Sequence, residues 1–183
     1  MIKAIITDFD GTLVDTFTPN LKAYQRAFSD VGLTLTAEDY KKCFGFRFER
    51  FMAARGISDD KICMAIKERK KEYYPQYFDY LRPNKALIDL IRSFKQIGGY
   101  TAIASTARRD NLLNALNYLD ITDCFDLIYS AEDVTEGKPS PEIYNKTMEK
   151  LRVAPGDTLI FEDSEVGLQA AKASAANFLK VIF

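Results

Sequence analysis

Histidine is absent from this chain of 183 residues. Without an imidazole side chain, the protein cannot contain a Ser-His-Asp or Cys-His catalytic site, a histidine-ligated zinc ion or a phosphohistidine. Any catalysis must therefore depend on carboxylates, lysine, hydroxyl groups or a bound ion.

Cysteine is scarce, and long apolar runs are missing. The three cysteines include no C-x-x-C pair, so we expect reduced thiols with mainly structural roles in a cytoplasmic protein. No run of about 18 apolar residues occurs, so we expect no membrane span. The N-terminal segment lacks the apolar region and the small-residue cleavage site of a signal peptide.

The chain also lacks an excess of charge of either sign. Its net charge is −1 and its pI is about 5.6. No global positive field therefore attracts nucleic acid or an anionic membrane surface, and we expect neither as a partner. A local basic cluster remains able to bind a small anion. The sequence leaves the oligomeric state open and is compatible with a monomer.

The composition is that of a globular protein, with 47% hydrophobic and 28% charged residues. Five nearly continuous apolar segments predict strands covered on both faces, at 2–8, 100–105, 126–130, 158–162 and 178–183. Apolar spacings of three and four predict helices between the later strands, at 86–96, 111–119, 142–151 and 165–176. This alternation predicts an α/β fold, a doubly wound parallel sheet with a Rossmann-like core.

Residues 16–81 interrupt the alternation. They are rich in Lys, Arg, Phe and Tyr, and they show helical patterns without a convincing strand. We interpret them as an all-helical domain inserted after the first strand. The segment Arg82-Pro83-Asn84 marks the return to the core, because proline disfavours helix in the residue before it. Residues 1–15 and 82–183 would then form the core.

Reactive side chains follow the predicted strands. They are Asp8 and Asp10, Ser105, Lys138, and the pair Glu162-Asp163. The carboxyl ends of parallel strands meet at the sheet edge where ligands bind. Two acids as close as Asp8 and Asp10 repel each other and resist burial unless a cation compensates. We therefore expect a metal or a reaction at this edge.

Each of these features has a structural and a functional interpretation. Residues 8–11 could form a turn capped by aspartate, and Ser105 could cap the following helix. Lys138 could be a solvated loop lysine, and residues 162–164 could begin a helix as a capping box.

The functional interpretation assigns one chemical task to each group. Asp8 could attack a phosphoryl group, and Asp10 could transfer protons as general acid and base. Ser105 and Lys138 could contact phosphate oxygens. The pair Glu162-Asp163 could complete a magnesium site with Asp8.

Four ordered motifs resemble those of the haloacid dehalogenase-like hydrolases. They are residues 8–15 (DFDGTLVD), Ser105, residues 137–141 (GKPSP) and residues 161–164 (FEDS). The resemblance is greatest to the subgroup with a helical cap after the first motif, which includes phosphoglycolate phosphatase and β-phosphoglucomutase. It implies a Rossmann-like catalytic core and a helical cap formed by residues 16–81, which would close over the substrate.

The resemblance also implies roles for the acids. Asp8 would be the nucleophile and Asp10 the general acid and base. Asp8, the Asp10 carbonyl and Asp163 would bind Mg²⁺, with Glu162 close to the ion.

The remaining motif residues would hold the transferred phosphoryl group. Ser105 and Lys138 would bind it, with help from the Thr106 backbone. The implied function is a magnesium-dependent phosphatase that hydrolyses a small phosphorylated metabolite through an aspartyl-phosphate intermediate.

Two alternatives to a phosphatase stay open. A β-phosphoglucomutase-like sugar-phosphate mutase is one, although the chain lacks the histidine that those enzymes carry shortly after the first motif. A non-catalytic interaction module on the same fold is the other, and the intact acids and Lys138 count against it. Asp10 itself favours phosphoryl transfer over dehalogenation, because true dehalogenases of this group lack the second aspartate.

Overall fold

The computed structural model describes every residue from Met1 to Phe183. The chain forms two compact units. The first contains Met1–Asp15 and Arg82–Phe183, and the second contains Thr16–Leu81. None of the helices in either unit combines the length and the apolar character that crossing a bilayer requires.

The first unit contains all the strands. In chain order they are β1 (Ala4–Thr7), β2 (Val14–Asp15), β3 (Arg82–Pro83), β4 (Tyr100–Ala104), β5 (Leu127–Tyr129), β6 (Thr158–Glu162) and β7 (Asn177–Lys180). Five of them form a parallel sheet in the order β5-β4-β1-β6-β7. The strands β2 and β3 form a separate antiparallel ribbon. The predicted α/β fold with a parallel sheet is confirmed.

The helices divide equally between the units. The second unit contains α1 (Phe17–Ser29), α2 (Ala37–Lys41), α3 (Phe48–Ala54) and α4 (Asp60–Tyr73). The first contains α5 (Lys85–Gln96), α6 (Arg109–Tyr118), α7 (Glu142–Leu151) and α8 (Glu165–Ala173). Short 3₁₀ turns add Tyr74–Tyr80, Thr122–Cys124, Ala131–Asp133 and Pro155–Asp157.

The central position of β1 explains its apolar sequence. All four of its residues are buried, and β4 and β6 pair with it on either side. On one face of the sheet, Ile6 and Ile160 belong to a buried cluster with Tyr144 of α7 and Ala170 of α8. A strand covered in this way needs no polar alternation.

An aromatic cluster forms the core of the helical unit. Tyr40 lies within 5.4 to 5.9 Å, measured between ring centroids, of Phe17, Tyr24, Phe44 and Phe51. All four contacts are edge-on or tilted rather than face-to-face, and aromatic rings disfavour the face-to-face sandwich. The abundance of aromatic residues in Thr16–Leu81 is therefore explained in large part by packing.

The main differences from the predicted elements lie at their ends. The last predicted helix stops at Ala173 rather than residue 176, because Ala175 adopts a φ of +60° and the left-handed conformation ends a helix. The two-residue strands β2 and β3 escaped prediction because they are too short to show a pattern. In contrast, β6 and α7 have the predicted bounds.

Replacement of Ile6 by alanine tests the position of β1. Ile6 is fully buried, so Ile6→Ala should lower the free energy of unfolding by about 2–5 kcal/mol through lost apolar contact and a residual cavity. Urea titration followed by circular dichroism measures this. The control Ile97→Ala, at a side chain that is 83% exposed, should change the value by less than about 0.5 kcal/mol. Equal effects of the two substitutions would show that β1 is not central.

Candidate active site

Asp8 is placed by the parallel sheet. It follows β1, and its backbone N–H donates to the carbonyl of Phe161 in β6 at 3.0 Å. Pairing with β6 thus continues past the partners Thr7 and Phe161 and fixes Asp8 beside the end of β6. The residue is only 6% exposed.

A tight turn follows Asp8. The Phe9 carbonyl accepts hydrogen bonds from the N–H groups of Leu13 (3.2 Å) and Val14 (3.0 Å). Gly11 has a φ of +87°, and a Cβ at this position would lie 2.4 Å from Oδ2 of Asp163. Glycine is required here both by the backbone conformation and by the close approach of the carboxylate. Asp10 lies in the same turn. Its backbone forms an isolated β-bridge with Val14, and the residue is partly exposed.

The end of β6 supplies two more carboxylates. Asp163 accepts a hydrogen bond from the Thr12 hydroxyl at its Oδ1 (2.8 Å). The Oε2 atom of Glu162 accepts from the N–H of Asp163 (3.0 Å) and from both the N–H and the hydroxyl of Ser164 (3.2 Å each). Ser164 also caps α8 by accepting from the N–H of Gly167 (3.1 Å). Ser164 therefore caps the helix beside the acid cluster, but the predicted capping box is not formed, because the third helical residue, Gly167, has no side chain to complete it. The N-terminus of the helix favours negative charge beside it.

Lys138 reaches this cluster from the loop before α7. Its side chain is 3% exposed, so the alternative of a solvated loop lysine is wrong. Nζ lies 2.6 Å from Oδ1 of Asp8 and also forms an ion pair with Oε1 of Glu162. Tyr144 donates its hydroxyl to the same Oε1 at 2.8 Å. The ammonium is therefore held between two carboxylates.

Ser105 lies at the same edge of the sheet, directly after β4. Its N–H donates to the carbonyl of Tyr129 in β5 at 3.0 Å, and the residue is buried. Its Oγ accepts from the N–H of Ala107 (3.1 Å). The helix α6 begins only at Arg109, so Ser105 is not its N-cap. Thr106 follows as a partly exposed residue.

The acids of this cluster have displaced pKa values. Burial raises the pKa of Asp8 well above its ordinary value, and the adjacent carboxylates add to the rise. The pKa of Asp163 is raised as well, mainly by burial. For Glu162, burial acts in the same direction, but Lys138 and the surrounding donors outweigh it and lower the pKa.

Lys138 stays protonated in this environment. Burial disfavours the ammonium, but Asp8 and Glu162 outweigh that effect and raise the pKa of Lys138 well above its ordinary value. One ammonium therefore faces three carboxylates, counting Asp163, and the cluster carries an excess of negative charge when all are ionised.

The geometry coincides with a family match. The family model described as haloacid dehalogenase-like hydrolase matches residues 5–181. The chain belongs to the haloacid dehalogenase-like hydrolase family. The resemblance inferred from the four motifs is confirmed.

Named relatives cover nearly the whole chain. A phosphorylated carbohydrates phosphatase from Thermotoga maritima is 29% identical over 179 residues, which cover 94% of this chain and 82% of the relative. Protein CbbY from Cupriavidus necator is 34% identical over 194 residues, covering 94% and 75%. The crystal structure of CbbY from Rhodobacter sphaeroides in complex with phosphate is 28% identical, with a TM-score of 0.87, and covers 100% of this chain and 87% of that one.

In this haloacid dehalogenase-like hydrolase, the donor set suits a magnesium ion. Carboxylate oxygens of Asp8, Glu162 and Asp163 lie within 4.8 Å of one another, and Mg²⁺ prefers oxygen ligands. The hydrogen bonds to Asp8 and Asp163 engage their Oδ1 atoms, which leaves each Oδ2 for a cation. A cation would also offset the excess negative charge.

Sequence reasoning missed two side chains that this family member uses to build the cluster. Thr12 orients Asp163, and Tyr144 binds Glu162. Thr12 lies inside the first motif, so its position beside the acids was a usable signal. The spacing of α7 places Tyr144 on its buried apolar face. Nothing in the sequence shows that its hydroxyl forms a hydrogen bond in the cluster, since a tyrosine that only packs would give the same pattern.

Replacement of Gly167 by alanine tests the packing of Glu162 against α8. In a helix this change ordinarily stabilises by about 0.5–1 kcal/mol. Here the new Cβ would lie 2.0 Å from the Glu162 carboxyl carbon. We therefore expect Gly167→Ala to destabilise the protein by about 1–3 kcal/mol in a urea titration.

The matched control is Gly156→Ala, because a Cβ at that glycine meets no atom within 4 Å. Its free energy of unfolding should stay within about 0.5 kcal/mol of the original value. A more stable Gly167→Ala variant would contradict the position of the Glu162 carboxylate.

Proposed function

We propose that this protein is a magnesium-dependent phosphatase that hydrolyses a small phosphorylated metabolite through an aspartyl-phosphate intermediate. The observation that carries the proposal is the buried Asp8 carboxylate, 2.6 Å from the Lys138 ammonium and clustered with two further acids. The names of relatives support the substrate class. One is a phosphorylated carbohydrates phosphatase, and the CbbY structure contains phosphate.

Asp8 and Asp10 share the covalent chemistry in this proposal. An oxygen of Asp8 forms a bond to phosphorus while the bond from phosphorus to the leaving oxygen breaks. Asp10 donates a proton to that leaving oxygen and later removes one from the attacking water. As the water oxygen bonds to phosphorus, the bond from phosphorus to the Asp8 oxygen breaks, which releases inorganic phosphate and restores the Asp8 carboxylate.

Lys138 and Ser105 hold the transferred group. The Lys138 ammonium already contacts Asp8, so it would lie beside a phosphoryl group bonded to that carboxylate. Its charge and the Ser105 hydroxyl stabilise the phosphoryl oxygens in the transition state. The Thr106 N–H adds a backbone donor.

Asp8, Asp163 and the carbonyl of Asp10 would hold the magnesium ion. When bound, the ion neutralises charge on the phosphoryl oxygens. The positive charge would also favour the ionised form of Asp8. This matters because the pKa of Asp8 is raised and only the ionised carboxylate is a good nucleophile. Lys138 favours the same ionised form.

The two units would have separate tasks. The unit with Met1–Asp15 and Arg82–Phe183 contains every residue assigned to the chemistry and would be the catalytic core. The helical unit, Thr16–Leu81, would serve as the cap that selects the substrate. The aromatic core within this unit would let it act as a separately packed domain.

Replacement of Asp8 by asparagine tests the nucleophile. Asp8→Asn keeps the size of the side chain but cannot form the aspartyl-phosphate, so turnover should fall by roughly 10³-fold or more. Phosphate release from p-nitrophenyl phosphate with Mg²⁺ measures this, and circular dichroism checks the fold. The control Asp157→Asn makes the same change where the carboxylate pairs only with the Lys3 side chain and the N-terminus, and it should keep full activity.

Near-normal activity of the Asp8→Asn variant would refute the mechanism. A panel of sugar phosphates separates the alternatives. Release of inorganic phosphate supports the phosphatase, whereas interconversion of isomers without release identifies a mutase.

Replacement of Asp163 by asparagine tests the metal site. A ligand that binds only the folded state raises its melting temperature. We expect Mg²⁺ to raise the melting temperature of the original protein and to have little effect on Asp163→Asn. Because the pKa values of Asp8 and Asp163 are raised, protons compete with the ion at a higher pH than at ordinary aspartates. The Mg²⁺-induced rise should therefore shrink as the pH is lowered.

The Asp157→Asn variant again serves as the control and should respond to Mg²⁺ like the original protein. An unchanged response of Asp163→Asn would remove that residue from the site.

A further inference from the structure

Tyr144 carries a phenol that the proposed chemistry leaves unused. It lies on α7 and is completely buried. Its hydroxyl donates to Oε1 of Glu162 at 2.8 Å. Burial raises the pKa of Tyr144 well above its ordinary value, so the phenol remains protonated and remains a donor.

The carboxylate that Tyr144 contacts is fully engaged. Glu162 has no exposed surface and accepts hydrogen bonds from five donors, two at Oε1 and three at Oε2. The Gly167 backbone packs directly against it. The carboxylate is therefore fixed from all sides and cannot rotate without breaking several hydrogen bonds.

Lys138 depends on this fixed carboxylate for its own position. A lysine side chain is a flexible stem with a point charge at its end, so an ordered ammonium needs partners that define its place. Oε1 of Glu162 is one partner, and Oδ1 of Asp8 is the other. The Tyr144 ring also faces the ammonium, with Nζ 5.0 Å from its centroid.

We propose that Tyr144, acting through Glu162, is a positioning residue that holds the Lys138 ammonium against Asp8. The inference rests on the proposed function, because the phosphoryl group is what Lys138 would stabilise. Loss of the phenol hydroxyl leaves the Glu162 oxygen with one donor fewer. The carboxylate can then shift toward Lys138 and draw the ammonium away from Asp8.

The variant Tyr144→Phe isolates the hydroxyl, since it keeps the ring, the packing and the charge of the site. We expect kcat for p-nitrophenyl phosphate to fall roughly threefold to tenfold, the size of a typical net hydrogen bond. The Kd for Mg²⁺, measured by calorimetry without substrate, should stay within about twofold, because Tyr144 donates no hydrogen bond to Asp8, Asp10 or Asp163, the three groups proposed to hold the ion, and the charge of the site is unchanged.

The control is Thr147→Val in the same helix. Thr147 is also completely buried, but its hydroxyl donates to the Ile143 carbonyl within α7. The thermal stability of both variants is measured alongside kcat. If Tyr144 had only a structural role, the change in kcat would follow the loss of stability in the same way in both variants. If it positions Lys138, Tyr144→Phe should lower kcat more than Thr147→Val does at the same loss of stability.

A double-mutant cycle shows whether Tyr144 acts through Lys138. In a Lys138→Met background, Tyr144→Phe should lower kcat no further, because the group that it positions is gone. The same fold-loss in both backgrounds would overturn the inference. So would a Tyr144→Phe variant with the original kcat.

The outcomes also separate this inference from the proposed function. If the original protein and Thr147→Val release phosphate but Tyr144→Phe is unaffected, the inference fails and the phosphatase stands. If the original protein releases phosphate neither from p-nitrophenyl phosphate nor from a metabolite panel, the proposed function fails, and the role given to Tyr144 fails with it.

Discussion

The buried Lys138 ammonium, between the carboxylates of Asp8 and Glu162, is the interaction on which the site depends. Removing an ion from water costs several kcal/mol, and only good geometry with further hydrogen bonds offsets that cost. Those further bonds come from Tyr144 and from the backbone at the start of α8. The arrangement is therefore interdependent, since loss of one partner leaves a buried charge without its counterpart.

Two glycines make this density of charge possible. Gly11 lets the turn after β1 approach Asp163, and Gly167 lets the first turn of α8 approach Glu162. In each case a single Cβ would occupy the space of a carboxylate. Glycine costs stability in a helix, so its presence at residue 167 is explained by the acid it accommodates rather than by the helix it belongs to. The sheet completes the arrangement by bringing the ends of β1 and β6 side by side.

Much of the fold was predictable because it rests on local signals. The apolar run of β6 and the spacing of α7 predicted their bounds, and the acids after the strands predicted the sheet edge at which the buried charged cluster lies. The contacts inside the cluster were not predictable from one sequence. Lys138 and Glu162 are 24 positions apart, and no periodicity specifies their pairing or the direction of the Tyr144 hydroxyl. The substrate was not predictable either, because no sequence pattern in Thr16–Leu81, the unit proposed to select it, identifies a particular metabolite.

The charge of the cluster also constrains how it can serve a phosphate ester. When all are ionised, three carboxylates facing one ammonium repel an anion, and a phosphoryl group brings roughly −1.5 to −2 charges of its own. Lys138 cannot compensate both its carboxylate partners and a phosphoryl group at once. In the proposed mechanism, a bound cation would supply the positive charge that lets the site accept an anionic substrate. The same charge lowers the raised pKa values of Asp8 and Asp163, so a bound cation would both admit the substrate and ionise the group that attacks it.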